Sequence, residues 1–336
     1  MYNINEKGLK MRLPSIFQII GNTPLVKLKY ASEKSGCTIL AKCEFLNPGG
    51  SIKDRAGKQI LIDALENGHI ESGDTIIEAT AGNTGISLTI LANALGLKTI
   101  IVMPETQAQA KKDVLRNLGA QLILAPACPL SDPRNFRNTA QRLSVENNWF
   151  LCDQFNNLSN AKAHTTTTVP EIIKQTGGDI DGFICAVGTG GSLGGIASGL
   201  TKYNKNIKIG IVDPDGAKLY SYYKNGTFET NGSSFMEGIG QVVITPQIKD
   251  LSVDYSYNIS DKDAMQHAYD CIENDGLNIG LSSGLNIAGA MAMAHDMGKG
   301  HTIVTILCDT SDKYKEKMFD KDFLLEKEIP APHWIK

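Results

Sequence analysis

Thr99-Ile100-Ile101-Val102-Met103 is an apolar run broken by no charge. A half-exposed strand would alternate apolar and polar side chains, so an unbroken run predicts a strand covered on both faces, as in a parallel sheet between helices. Working outward, further strands are predicted over Thr75 to Ala79, Gln121 to Ala125, Phe183 to Val187, Ile207 to Val212 and Thr302 to Cys308. Helical spacing between them predicts helices over Gly57 to Glu66, Ile86 to Leu95, Ala108 to Leu118, Gly194 to Tyr203, Asp261 to Glu273 and Asn286 to Met297. This alternation describes an α/β, doubly wound chain. An Asn-rich stretch from Phe150 to Asn160 is expected to separate a first set of units from a second.

The chain has 336 residues, enough for two domains with a core in each. A formal net charge of -3 and the lack of a long basic run argue against nucleic-acid or membrane-surface partners and for a small molecule. Cys37, Cys43, Cys128, Cys152, Cys185, Cys271 and Cys308 form no C-x-x-C pair, so neither a zinc site nor a disulfide framework is expected, and a reducing cytosol fits. No apolar run approaches the roughly 18 residues of a membrane span, and the polar start, Met1 to Lys10, is no secretory signal core. A cytoplasmic protein is expected.

In such sheets ligands sit outside the carboxyl ends of the strands, where glycine-rich turns lead into helices. Three such turns stand out. In Gly188-Thr189-Gly190-Gly191-Ser192, glycines allow successive N–H groups to converge on an anion, Thr189 and Ser192 add hydroxyls, and the following helix presents its positive end. A phosphate monoester is the natural guest. A dinucleotide fold is the rival, but Leu193 stands where the third glycine of G-x-G-x-x-G belongs. Pro48-Gly49-Gly50-Ser51-Ile52-Lys53-Asp54-Arg55 delivers one lysine to a helix start, and Lys53 is a candidate for imine formation with a carbonyl. Thr80 to Gly85 offers hydroxyls, an amide and backbone donors suited to a carboxylate, although Thr84 could also serve as a plain helix cap. With Leu281-Ser282-Ser283-Gly284, which can hydrogen-bond a heteroaromatic nitrogen, these turns describe a pyridoxal-phosphate site.

Ile20-Gly21-Asn22-Thr23-Pro24-Leu25, the Pro48 to Arg55 turn, Thr80 to Gly85, Gly188 to Ser192, Glu237-Gly238-Ile239-Gly240 and Ser282-Ser283-Gly284 occur in this order. From about Ile16 to Cys308 the chain thereby resembles the cysteine synthase (O-acetylserine sulfhydrylase) family and the catalytic core of cystathionine β-synthase. The resemblance implies a fold-type II pyridoxal-phosphate enzyme of two doubly wound domains with the cofactor between them, usually a homodimer. The smaller, mobile domain would be residues 1–24 and 47–157, the larger one 25–46 and 158–320, with a tail at 321–336. Lys53 would bind pyridoxal 5'-phosphate covalently, Asn83 its 3′-oxygen, Gly188, Thr189, Gly190, Gly191 and Ser192 its phosphate, and Ser282 its ring nitrogen. Thr80, Ala81 and Thr84, with Gln154 of Asp153-Gln154-Phe155, would hold the substrate carboxylate. The implied reaction is β-replacement of O-acetyl-L-serine by sulfide to L-cysteine through an α-aminoacrylate, with serine acetyltransferase as an implied partner.

The serine at the ring nitrogen has a consequence of its own. A hydroxyl can donate to an unprotonated nitrogen but cannot stabilise a pyridinium as a carboxylate would. The cofactor is then a weaker electron sink, and loss of a β-leaving group competes well with transamination. Two departures from the common family pattern leave alternatives open. Ala81 replaces the usual serine, and Asp309-Thr310-Ser311-Asp312-Lys313-Tyr314 replaces Ser-x-Gly-Glu-Arg-Tyr. Together with Asp213-Pro214-Asp215-Gly216, which is similar to cystathionine β-synthase, they admit that activity, or a sulfide-releasing cysteine lyase.

Overall fold

A computed structural model describes residues 13–80 and 82–335, so Met1 to Lys10, Ala81 and the last residue lie outside it. The chain divides into two compact units, one of residues up to Gly21 with Asn47–Gly49 and Lys53–Ala163, the other of Asn22–Leu46, Gly50–Ile52 and His164–Lys336. Ten strands are formed among the described residues: β1 Leu25–Lys27, β2 Thr38–Cys43, β3 Thr75–Ala79, β4 Lys98–Pro104, β5 Gln121–Ala125, β6 Phe150–Leu151, β7 Gly182–Ala186, β8 Lys208–Pro214, β9 Tyr255–Ile259 and β10 Thr302–Leu307.

In the first unit the strand order is β5-β4-β3-β6, all parallel, with Ile77 opposite Ile100 and Leu151. Neighbouring residues of β3 feed opposite cores: Ile76 packs with Ile60, Leu61, Leu88 and Leu91, while Ile77 packs with Ile100, Val102 and Ala140. This two-sided covering is why β4 reads as an unbroken apolar run. Each such isoleucine, fully buried, contributes on the order of 2 kcal/mol.

The second unit holds the order β1-β2-β10-β7-β8-β9, parallel except for β1, which runs antiparallel along β2 at the edge. In β10, Ile303 and Leu307 face one core, Val304 and Ile306 the other. The α/β, doubly wound class read from the sequence is the class observed.

The differences are physical. β1 and β6 are too short to show a period. Within β2, Lys42 looks solvated in the sequence but is fully buried, its Nζ donating to Glu171 Oε2 and Thr23 O, each at 2.6 Å, and to Gln175 Oε1 at 2.9 Å. Four helices begin earlier than periodicity predicts, at Lys53, Asn83, Gly191 and Leu281 instead of Gly57, Ile86, Gly194 and Asn286. Glycine, hydroxyl and, at Lys53-Asp54-Arg55, charged residues hide a helix start because they carry no apolar stripe. In all four cases the hidden first turn holds the residues assigned to chemistry.

Candidate active site

Lys53 is the first residue of the helix Lys53–Glu66. Just ahead of it, Gly49 N donates to Asp54 Oδ2 at 2.5 Å, and a Cβ on Gly49 would stand 2.4 Å from Asp54 Oδ1. Only glycine lets the buried carboxylate fold back over the turn in this way. The helix Asn83–Leu95 packs against this one closely: a Cβ on Gly57 would stand 2.4 Å from Ser87 Oγ, and Ser87 Oγ donates to Lys53 O at 3.2 Å. The first turns of the two helices, with Lys53 and Asn83, are thus brought side by side within this unit.

Thr84 does not cap its helix. The cap position is Gly82, with no side-chain cap bond, and Thr84 Oγ1 donates instead to Gln154 Oε1 at 2.6 Å. Gln154 Nε2 donates to Glu78 Oε1 and to Ala79 O, each at 3.3 Å, and Gln154 N donates to Glu78 Oε2 at 3.3 Å. Thr80, which follows β3, accepts from Gly82 N through Oγ1 at 3.3 Å. Thr80, Thr84 and Gln154 therefore share one end of the parallel sheet, while Ala81 lies outside the described residues. Burial pushes the Glu78 carboxyl up to about 8 and raises the Cys152 thiol well above its ordinary value.

In the second unit β7 ends at Ala186, and the turn Gly188 to Ser192 leads into the helix Gly191–Tyr203, whose cap Gly190 has φ 91°. A Cβ on Gly188 would stand 2.3 Å from Gly238 O, and Gly240 N donates to Val187 O at 3.0 Å, so the Glu237 to Gly240 motif forms the backing of this turn. Thr245 Oγ1 donates to Thr189 O at 2.8 Å, and Gly191 N makes a long bond of 3.4 Å to Thr189 Oγ1. Ser192 Oγ pairs with His164 Nε2 at 3.2 Å, and the other ring nitrogen of buried His164 meets Thr168 Oγ1 at 2.9 Å.

Ser282 lies in the first turn of the helix Leu281–Met297, which begins after Gly280. Gly280 N donates to Asp309 O at 2.9 Å, and Tyr314 Oη donates to Asp309 Oδ2 at 2.7 Å. Burial and the Asp309 charge raise the Tyr314 phenol well above its ordinary value. The same segment reaches the residues preceding Lys53: Ile52 N donates to Cys308 O at 3.0 Å and Lys313 Nζ to Gly50 O at 3.1 Å. Within the second unit, the unusual Asp309 to Tyr314 stretch is therefore part of the scaffold that holds Gly50 to Ile52.

These residues fit pyridoxal phosphate on two counts. Ser282 is 7% exposed, and among the described residues its hydroxyl has no hydrogen-bond partner, which leaves it available to a ring nitrogen. The helix after Gly190 carries no acidic side chain in its first turn, so its N–H groups face a phosphate without opposition. Of the residues assigned in the sequence, Lys53, Thr80, Asn83, Thr84 and Gln154 belong to the first unit, and Gly188, Thr189, Gly190, Gly191, Ser192 and Ser282 to the second. Glu78, His164 and Thr245 were not found by motif, because each touches the site only through another residue.

Comparison with known proteins agrees with this chemistry. A family model described as pyridoxal-phosphate dependent enzyme matches residues 16–309. Cysteine synthase 1 of Neurospora crassa is 44% identical over 92% of this chain and 84% of its own. Two solved structures superpose closely. An O-ureido-L-serine synthase has a TM-score of 0.83 at 28% identity, covering 91% of this chain and 95% of that one. An O-acetylserine dependent cystathionine beta-synthase from Helicobacter pylori has 0.82 at 32%, covering 92% and 99%.

Proposed function

The chain belongs to the pyridoxal-phosphate dependent enzymes, within the group of cysteine synthases and cystathionine β-synthases, and from that premise we propose that it makes L-cysteine from O-acetyl-L-serine and sulfide. The observation that carries this reading is Ser282, a buried residue at a helix start whose hydroxyl has no partner among the described residues and is a neutral group suited to β-replacement.

In this reading Lys53 holds the cofactor, Asn83 its 3′-oxygen, Ser282 its ring nitrogen, and the N–H and hydroxyl groups of Gly188 to Ser192 its phosphate. When bound, the cofactor supplies the electron sink at the substrate α-carbon. Thr80 and donors at Ala81 hold the substrate carboxylate, and Thr84 and Gln154 join them by exchanging the hydrogen bonds they make with each other and with Glu78 and Ala79. With its amine free, Lys53 would take the substrate α-proton on Nζ, and acetate would leave the β-carbon with the electron pair of that C–O bond. Hydrosulfide then adds at the β-carbon, and Lys53 returns the proton, so O-acetylserine and hydrogen sulfide give cysteine and acetate.

A second reading has a specific support. The Helicobacter relative is named for joining O-acetylserine to cystathionine synthesis, and the Asp309 to Tyr314 departure sits against the lysine turn. Turnover of O-acetylserine with sulfide, beside O-acetylserine, serine or cysteine with homocysteine at matched concentrations, separates the two. A large preference for homocysteine would overturn cysteine synthesis. No helix among the described residues is long and apolar enough to cross a membrane. We place the enzyme in the cytosol as a homodimer, with serine acetyltransferase as its partner; sedimentation alone and with that enzyme tests this.

A further inference from the structure

Gln154 is held at every polar atom it has. Asp153 before it adopts a left-handed backbone, φ 49°, rare outside glycine and suited to aspartate among the few exceptions. That bend turns Gln154 N toward Glu78 Oε2, while Asn160 Nδ2 donates to Gln154 O at 2.9 Å. The side-chain amide then bridges Glu78 and Thr84, with Nε2 on the carboxyl and Oε1 on the hydroxyl. Glu78 itself is 1% exposed, at the carboxyl end of β3, two residues before Thr80. An ionised carboxylate this deep would be costly to bury, so the group takes up a proton instead, and its charge state becomes sensitive to pH.

We propose that Glu78 is a positioning residue of the substrate turn, acting through Gln154 on Thr84, so that its own charge state governs how well the amino-acid carboxylate binds. The inference rests on the reading that Thr80, Thr84 and Gln154 take that carboxylate. Three groups face Glu78 from neighbouring segments: Cys152 and Asp153 after β6, and Arg137 on the helix Phe136–Asn147. Arg137, stacked 3.9 Å over the Phe155 ring, favours the anion. Burial outweighs it, and the carboxyl keeps its proton up to about pH 8. Near neutrality the Glu78 carboxyl adds no negative charge of its own behind the turn. Above that pH an anion lies one amide away from the anion to be bound, and repulsion over that length in a partly buried setting weakens binding about tenfold.

The test uses the cofactor-loaded enzyme. KM and kcat for O-acetyl-L-serine are measured from about pH 6.5 to about pH 9.5 for wild type, Glu78→Gln, Glu78→Ala and Gln154→Ala, with cofactor absorbance as a control. Wild-type KM should climb about tenfold more steeply than that of Glu78→Gln, which shares the substrate's own titration but carries no charge. At neutral pH Glu78→Ala should raise KM about tenfold with a smaller change in kcat, and Glu78→Gln should restore most of the loss. Parallel KM profiles for wild type and Glu78→Gln would overturn the proposal, as would a Glu78→Gln as impaired as Glu78→Ala. Should Glu78→Ala not fold, the Glu78→Gln profile decides alone. If Gln154→Ala leaves KM unchanged, the carboxylate reading falls and this one with it. If Gln154→Ala raises KM while both Glu78 variants track wild type, only the role of Glu78 falls.

Discussion

The two turns proposed to take ligands, Thr80 to Gly85 and Gly188 to Ser192, both follow parallel strands and both open helices, yet their glycines are backed differently. At Gly188, and at Gly194 just past the turn, the tightest backing is main chain, since a Cβ would meet Gly238 O at 2.3 Å and Gln247 O at 2.0 Å, while the Thr245 and Ile248 side chains back Gly190 between them. Carbonyls of other loops cannot move aside without moving those loops. Around Thr80 to Gly85 the backing is side chain, running from Thr84 through Gln154 to Glu78, and a Cβ on Gly82 would meet nothing within 4 Å. Main-chain backing suits a guest of constant shape such as a phosphate. Side chains that turn about their own bonds suit a substrate that must enter, react and leave.

The largest expected effect lies outside both turns and sets their scale. Lys53→Ala should lower kcat by about 10⁴-fold or more and abolish the lysine label left by hydride reduction; labelling of another lysine would move the catalytic centre. Next, Gly194→Ala should destabilise the second unit by about 2 kcal/mol, since overpacking against a carbonyl costs about 3 kcal/mol and better helix propensity returns about 1. Gly82→Ala should stay within about 1 kcal/mol of wild type in denaturant melts. Equal costs at the two glycines would break the distinction between main-chain and side-chain backing.

Smaller, roughly tenfold changes separate the two guests. His164→Ala removes the partner of Ser192 and should weaken cofactor affinity by about tenfold with KM for the amino acid little altered. Thr84→Val should do the reverse, raising KM by about tenfold with cofactor content intact. A swap of these phenotypes would exchange the roles of the turns.

The smallest effect is one of pH. Two buried acids near strand ends keep their protons unusually well: Glu78 in the first unit, raised from 4.5 to about 8, and Asp213 in the second, raised from 3.8 to about 7, in both cases by burial. The unfolded chain loses these protons near the ordinary values while the folded chain keeps them. Their stabilising contribution is therefore present in acid and is lost as pH rises toward about 8 and about 7. Glu78→Gln and Asp213→Asn should each flatten the fall in melting temperature between about pH 5 and about pH 8. Unchanged slopes would mean that the two acids are ionised in the folded chain.

What the sequence determined by itself was whatever repeats along the chain or sits in a contiguous motif. Continuous apolar runs such as Thr99 to Met103 disclosed parallel strands covered on both faces, because burial on both sides leaves no room for polar alternation. Glycine-rich stretches singled out Lys53, Asn83 and the Gly188 to Ser192 turn as candidates, because only glycine permits such close approach of backbone. Tertiary structure alone decided that the helices at Gly191 and Leu281 begin where they do, since neither start has an apolar stripe to announce it. It also decided that Lys42 is a core residue, because the partner carboxylate is 129 positions away. The same holds for the supports of the site. Glu78 lies 76 positions from Gln154, and His164 lies 28 from Ser192. A hydrogen bond needs only a few ångströms in space, and no period or motif along the chain records that distance.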